Sequence, residues 1–218
     1  VTRPYGNHTV NVTFTDDKYG FRYAIADFWV FKHDSPLVID VDSVLVGDVA
    51  YINVTAPSDN VTIEINGKTY NSVRYEDGIA YFEVTGLEHG SKTVVAIYGG
   101  SEKYVHNTTT KGFKVSKRSS QVNLTVNATA VGNDVIINVT IPSNAVGYVI
   151  VVVDGQNYSI NTTGGMGSLR IPGLGNITHY VNVTYAGDEQ YLPSSNSTSF
   201  TLNKVSSTVS VAGVNITL

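Results

Sequence analysis

The chain has 218 residues, 42% apolar and only 15% charged, so it can bury a core and suits one or two domains. About a third of it is Val, Ile or Thr, side chains stiff at χ1 that fit a pleated surface, whereas Leu, Ala and Met are scarce. That excludes an α-helical protein and makes a crossover α/β fold unexpected. A formal net charge of −4 argues against nucleic acid, which rewards basic stripes. With no Cys, disulfide frameworks, thiolate zinc sites and thiol nucleophiles are excluded. The longest apolar run, residues 149–153, is strand length, well short of the roughly 18 residues of a membrane span. No membrane span is expected in this segment, and no signal peptide opens it. An exported chain would carry its signal and anchor elsewhere.

Taken in chain order, the predicted elements repeat. Residues 14–30 (FTDDKYGFRYAIADFWV), 98–115 (YGGSEKYVHNTTTKGFKV) and 185–202 (YAGDEQYLPSSNSTSFTL) share one layout. Each has an aromatic at a strand end, a short turn, and then Tyr19, Tyr104 or Tyr191, followed nine residues later by Phe28, Phe113 or Phe200. A second pair, 51–70 against 136–158, covers the other half of the repeat. Within a repeat, stretches such as 121–129 and 135–141 alternate apolar and polar with period two, as half-buried strands do. Asn66-Gly67 and Asp154-Gly155 mark hairpins of type I′ geometry. About seven strands per 85 residues, punctuated by turns, predict an all-β fold of tandem Ig-like β-sandwiches. Residues 1–33 correspond to the last two strands of a preceding repeat. Residues 34–117 and 118–204 are complete repeats and 205–218 match only the first strand of a following one, the copies being opened by the matching serines Ser35, Ser119 and Ser206. The expected core comprises Val54, Ile63, Phe82, Val94, Ile97 and Phe113, then Val139, Val149, Val151, Leu169, Val183 and Phe200.

The stretch Y-x-G-D-x-x-Y-x-P-S-x-x-S from Tyr185 to Ser197, followed by a Phe-x-Leu strand, resembles the bacterial-type Ig-like tandem repeats of large surface proteins. It is most similar to the repeats of archaeal, methanogen adhesin-like proteins, which form long arrays rich in Asn and Thr. The resemblance covers essentially the whole chain, as a consensus of turns and core positions. The first copy departs from it, with Asp16-Asp17 in place of the Gly-Asp turn and Trp29 without a counterpart. Ig-like folds host unrelated functions, so the resemblance implies a role and not a ligand.

The strongest chemical signal is Asn-x-Ser/Thr, the N-glycosylation acceptor. It occurs 14 times, at Asn7, Asn11, Asn53, Asn60, Asn107, Asn123, Asn127, Asn138, Asn157, Asn161, Asn176, Asn182, Asn196 and Asn215. Thirteen of these use Thr, and about four matches would arise by chance from this composition. Residues i and i+2 share a strand face, so Thr-rich polar faces alone would generate some such triplets. Asn is nevertheless a poor strand residue, and its recurrence in this register points to selection for acceptor sites. The spacing of four in Asn123/Asn127 and Asn157/Asn161 puts both members of each pair on one face, where two glycans would crowd.

Other constellations carry less. His8, His33, His89, His106 and His179 never pair at metal spacing and read as surface histidines. The glycines at 164, 165 and 167 suggest a hairpin turn and not a phosphate loop, since no helix follows. Calcium is a minor alternative at Asp16-Asp17 or at Asp40 and Asp42, but the D-x-D-x-D-G loop grammar is missing. No Lys occupies the opening strand of either full repeat, so a Lys–Asn isopeptide lock is not expected. The recurring Tyr residues read as core or corner packing. Scattered carboxylates make an enzyme unexpected, and no cofactor is expected beyond covalent N-glycans. The expected function is a structural stalk or filament segment of an extracellular, cell-surface glycoprotein. Its partners would be neighbouring repeats of the same chain or identical subunits in a linear head-to-tail assembly. The alternative is an adhesion module that binds a host or cell-surface glycan.

Overall fold

Most of the alternating β-branched stretches become strands, 18 of them among the described residues, with no helix there long and apolar enough to cross a membrane. Residues 205–213, expected to begin another repeat, form no strand. The computed structural model describes residues 3–128 and 130–213. It divides into two units, one ending at Ser116 and the next beginning at Lys117.

In the first unit, β1 (Gly6–Phe14) and β2 (Arg22–Val30) form a two-stranded antiparallel hairpin. A sandwich follows, built from β3 (Val38–Val41), β4 (Val44–Leu45), β5 (Ala50–Thr55), β6 (Val61–Ile65), β7 (Lys68–Asn71), β8 (Arg74–Glu76), β9 (Ile79–Val84), β10 (Gly90–Tyr98) and β11 (Asn107–Ser116). One sheet has the order β3-β5-β9-β8 and the other β4-β11-β10-β6-β7. Nine strands appear in place of the expected seven. The opening strand breaks at Asp42-Ser43, so that β3 and β4 join different sheets, with β4 parallel to β11. Asp77-Gly78, with φ of 51° and 79°, adds a tight turn that pairs the short β8 with β9.

The second unit contains β12 (Asn123–Asn127), β13 (Val135–Thr140), β14 (Tyr148–Val153), β15 (Gln156–Asn161), β16 (Met166–Ile171), β17 (Thr178–Tyr185) and β18 (Ser194–Thr201). Its sheets are β12-β13-β16 and β15-β14-β17-β18. Both units therefore contain an Ig-like β-sandwich. The predicted turns take the predicted form, with φ of 52° and 76° at Asn66-Gly67 and 49° and 86° at Asp154-Gly155. Gly164-Gly165 also closes a hairpin, through paired backbone bonds between Thr163 and Met166.

Period-two burial packs each core between two sheets. Ile52, Val54, Ile63, Phe82 and Val94 are sealed in the first, and Ile137, Val139, Val149, Val151 and Val183 in the second. Full burial of one such side chain contributes about 1.5–3 kcal/mol. Leu169 and Phe200 are only partly buried, packed against the second core. Ile97 faces the wrong way for the expected core. In β10 the inward series is Lys92, Val94, Ala96 and Tyr98, so the apolar Val95 and Ile97 point to the other side. The opening serines also shift. Ser35 donates to the carbonyl of Val105 and Ser120, not Ser119, donates to that of Leu192, each the residue after the recurring tyrosine.

Candidate functional site

The strand faces decide which acceptor asparagines are presented. In Asn53-Val54-Thr55, Asn138-Val139-Thr140 and Asn182-Val183-Thr184 the middle valine is fully buried, which turns Asn and Thr outward. Asn7, Asn11, Asn60, Asn123, Asn127, Asn157, Asn161, Asn176, Asn182 and Asn196 are exposed. Asn53, Asn107 and Asn138 are half-buried, and Asn215 lies outside the described residues. Both pairs spaced by four share an exposed face, Asn123 with Asn127 on β12 and Asn157 with Asn161 on β15. Two triplets meet head to tail across neighbouring strands. Asn123 stands opposite Thr140, and Thr125 opposite Asn138.

Three of the amides already have work in the fold. Asn60 donates its side-chain N–H to the carbonyl of Gly100 at 3.0 Å. Asn107 donates to Ser35 at 2.8 Å and Asn196 to Val122 at 2.9 Å, each tying a last strand to the opening segment of its own sandwich.

One histidine departs from the surface reading. His179, on β17, is 2% exposed. Its Nδ1 lies 2.5 Å from Asp154 Oδ2 and its Nε2 3.0 Å from the Gly175 carbonyl, with the ring stacked on Phe200. Both nitrogens face acceptors, so the arrangement is satisfied only when both carry protons. The Asp154 carboxylate accordingly holds the His179 pKa above its ordinary value, and the hydrogen bond from His179 holds Asp154 below the usual carboxylate range. Asp154 Oδ1 also accepts the Tyr180 N–H at 2.9 Å. The partners are 25 residues apart in sequence, so no local spacing announces them.

The other conspicuous polar groups close loops. Asp16, Ser101 and Asp188 each stand three residues before the recurring tyrosine, and each side-chain oxygen accepts the backbone N–H of that tyrosine. Burial raises the Asp188 pKa, but hydrogen bonds from the N–H groups of Val146, Tyr191 and Gln190 outweigh it and hold the carboxyl low. Burial, followed by the Asp188 carboxylate, pushes the Tyr185 hydroxyl well up, and that hydroxyl donates to the Val146 carbonyl. Among the described residues no three His, Asp or Glu side chains converge as a metal site. Tyr98, Tyr185 and Tyr191 are buried, as corner and core packing requires.

The exposed aromatics of the first hairpin were not anticipated as a group, although Trp29 stands out in the sequence. Phe21, Tyr23, Trp29 and Phe31 fall on one face of β2 and its flanks, a period-two signal legible from residue spacing alone.

No family model matches the chain, and the comparison with curated proteins returns no match. Solved structures do resemble it. The titin domains Z1Z2 in complex with telethonin align at 15% identity and a TM-score of 0.45, covering 81% of this chain and 100% of that one. The fibronectin(III)-like modules of Clostridium thermocellum CbhA align at 14% identity and 0.34, covering 77% and 95%. The Yersinia pseudotuberculosis adhesin InvE aligns at 15% identity and 0.36, covering 78% of this chain and 58% of that one. The assignment of Ig-like sandwiches rests on the sheet orders and cores of the chain itself.

Proposed function

We propose that this chain is a structural segment of an extracellular, N-glycosylated cell-surface protein, a stalk or filament built from tandem Ig-like sandwiches. The observation that carries the proposal is the placement of the acceptor triplets. Ten of their asparagines are exposed, and five of these, Asn123, Asn127, Asn157, Asn161 and Asn182, stand on strand faces whose alternate residues pack in or against the second core. Glycans there would hydrate the sheets and shield the backbone from proteolysis without disturbing packing. In this reading 34–117 and 118–204 are whole repeats, while 1–33 and 205–218 belong to neighbouring ones, completed by the same polypeptide or by an identical subunit in head-to-tail series. The matching hairpin registers support it, since His8–Phe28, Lys92–Phe113 and His179–Phe200 are equivalent cross-strand pairs.

The chemistry of the polar clusters supports a structural role over an enzymatic one. Asp154 and Asp188 are engaged by the His179 ring and by backbone N–H groups, and their carboxylates are spent on turn closure. Intact-mass spectrometry of the protein from its native cells tests the proposal. A mass above the 23.5 kDa polypeptide by several glycans is expected for this segment. The bare mass would end the reading.

A further inference from the structure

The hairpin of β1 and β2 has two apolar faces, and completing a sandwich accounts for only one. By register, Val10, Val12, Phe14 and Phe28 align with Val94, Ala96, Tyr98 and Phe113, all buried in the first sandwich. That is the core-facing side. The other side carries Phe21, Tyr23, Ile25, Trp29 and Phe31, each between 58% and 78% exposed. In the complete sandwiches the positions of Tyr23, Ile25 and Trp29 are Thr108, Thr110 and Lys114, and Ser195, Ser197 and Thr201, all exposed. A second sheet on the core side would leave this stripe in water.

What lies beside the stripe identifies its occupant. The same face of β1 is a ladder of Asn7, Thr9, Asn11 and Thr13, two complete acceptor triplets. Asn7 pairs directly with Trp29 and Asn11 with Ile25, with Tyr23 next along the strand. Directly opposed side chains have Cβ atoms about 4.5–5.5 Å apart. A sugar joined to the Asn7 nitrogen therefore emerges beside the indole. Among the described residues no side-chain hydrogen bond claims the amide of Asn7 or Asn11, unlike those of Asn107 and Asn196. Thr9 is held by its bond to Asp27 at 2.6 Å, which fixes the ladder in register. The Trp29 and Phe31 rings stack with centroids 6.4 Å apart, offering a broad apolar surface. The C–H face of a pyranose ring gains by leaving water against such a surface.

We infer that the outward face of β2 is a platform for the chain's own N-glycan, the first pyranose on Asn7 packing against Trp29. This rests on the glycoprotein reading and adds a specific contact to it. Trp29 is the sole tryptophan, so its fluorescence reports on this site alone. Protein from native cells is mapped by glycopeptide mass spectrometry, and acrylamide quenching of Trp29 is compared with Asn7→Gln and with Asn157→Gln as a control. Covering one ring face should weaken quenching about twofold relative to Asn7→Gln and shift emission to the blue. The control should match the parent. Occupied Asn7 with quenching equal to that of Asn7→Gln overturns the platform and leaves the glycoprotein reading intact. Bare Asn7 beside glycans elsewhere also overturns it, and a chain without glycans overturns both. The unglycosylated chain is also titrated with a free N-acetylhexosamine oligosaccharide. A saturable change in Trp29 emission with Asn7 bare reassigns the face to an external glycan, against the inference.

Discussion

Replacing Asp154 by Asn should destabilise the second sandwich in a pH-dependent way. Asp154 sits at φ 49° in the turn joining β14 to β15, a conformation Asn tolerates as well. Asn also keeps an acceptor for the Tyr180 N–H. What it loses is the carboxylate 2.5 Å from His179 Nδ1. A hydrogen bond to a charged group is worth about 1.5–3 kcal/mol. Because the Asp154 side chain is 34% exposed, solvent screening argues for the lower part of that range, about 2 kcal/mol. For a domain of about 100 residues, that lowers Tm by about 8–12 °C. The raised His179 pKa means its contribution is fully present below the unfolded value of 6.5 and is lost as pH rises through the folded value. The lowered Asp154 pKa means its contribution is present above 3.8 and is lost as pH falls through the folded value. The penalty of the substitution should therefore be largest between about pH 4 and 6.5 and shrink in alkali. Scanning calorimetry of parent and variant at pH 5.5 and pH 9 measures both quantities. An unchanged Tm at pH 5.5, or a penalty just as large at pH 9, would refute the reasoning.

Other perturbations separate packing from backbone strain and from modification. Phe82→Ala, at 1% exposure in the first core, should cost about 3–5 kcal/mol and shift only the first sandwich's calorimetric transition. Gly165→Ala should destabilise the second sandwich by more than the roughly 1–2 kcal/mol of a left-handed residue alone, since its Cβ would lie 2.5 Å from the Ile141 carbonyl oxygen. Gly155→Ala, with similar φ and open space around it, should show only the smaller loss in the same denaturation assay. Glycopeptide mapping should find sugar on Asn123 and Asn157 and little on Asn107, whose amide nitrogen is aimed at the Ser35 carbonyl. High occupancy at Asn107 would contradict that.

Composition and two-residue periodicity determined the all-β class, the repeat and most inward faces, because a strand's pleat is a local property. The Asn-Gly and Asp-Gly turns were legible for the same reason, since positive φ at both positions is a demand on individual residues. Periodicity is ambiguous where both faces are apolar. In Val94-Val95-Ala96-Ile97 either register reads as core, and pairing of β10 with β6 and β11 decides for Val94 and Ala96. The split of the opening strand between β3 and β4 likewise depends on the edge of β11, contributed some 70 residues later. His179 looked like any surface histidine until folding set it beside Asp154 and Phe200, because charge pairing acts through space and leaves no trace in spacing. The stripe beside Asn7 divides the same way. Its alternation was written in residues 21–31, but only the β1–β2 register puts Trp29 opposite an acceptor asparagine, since cross-strand neighbours are chosen by hydrogen bonding between strands.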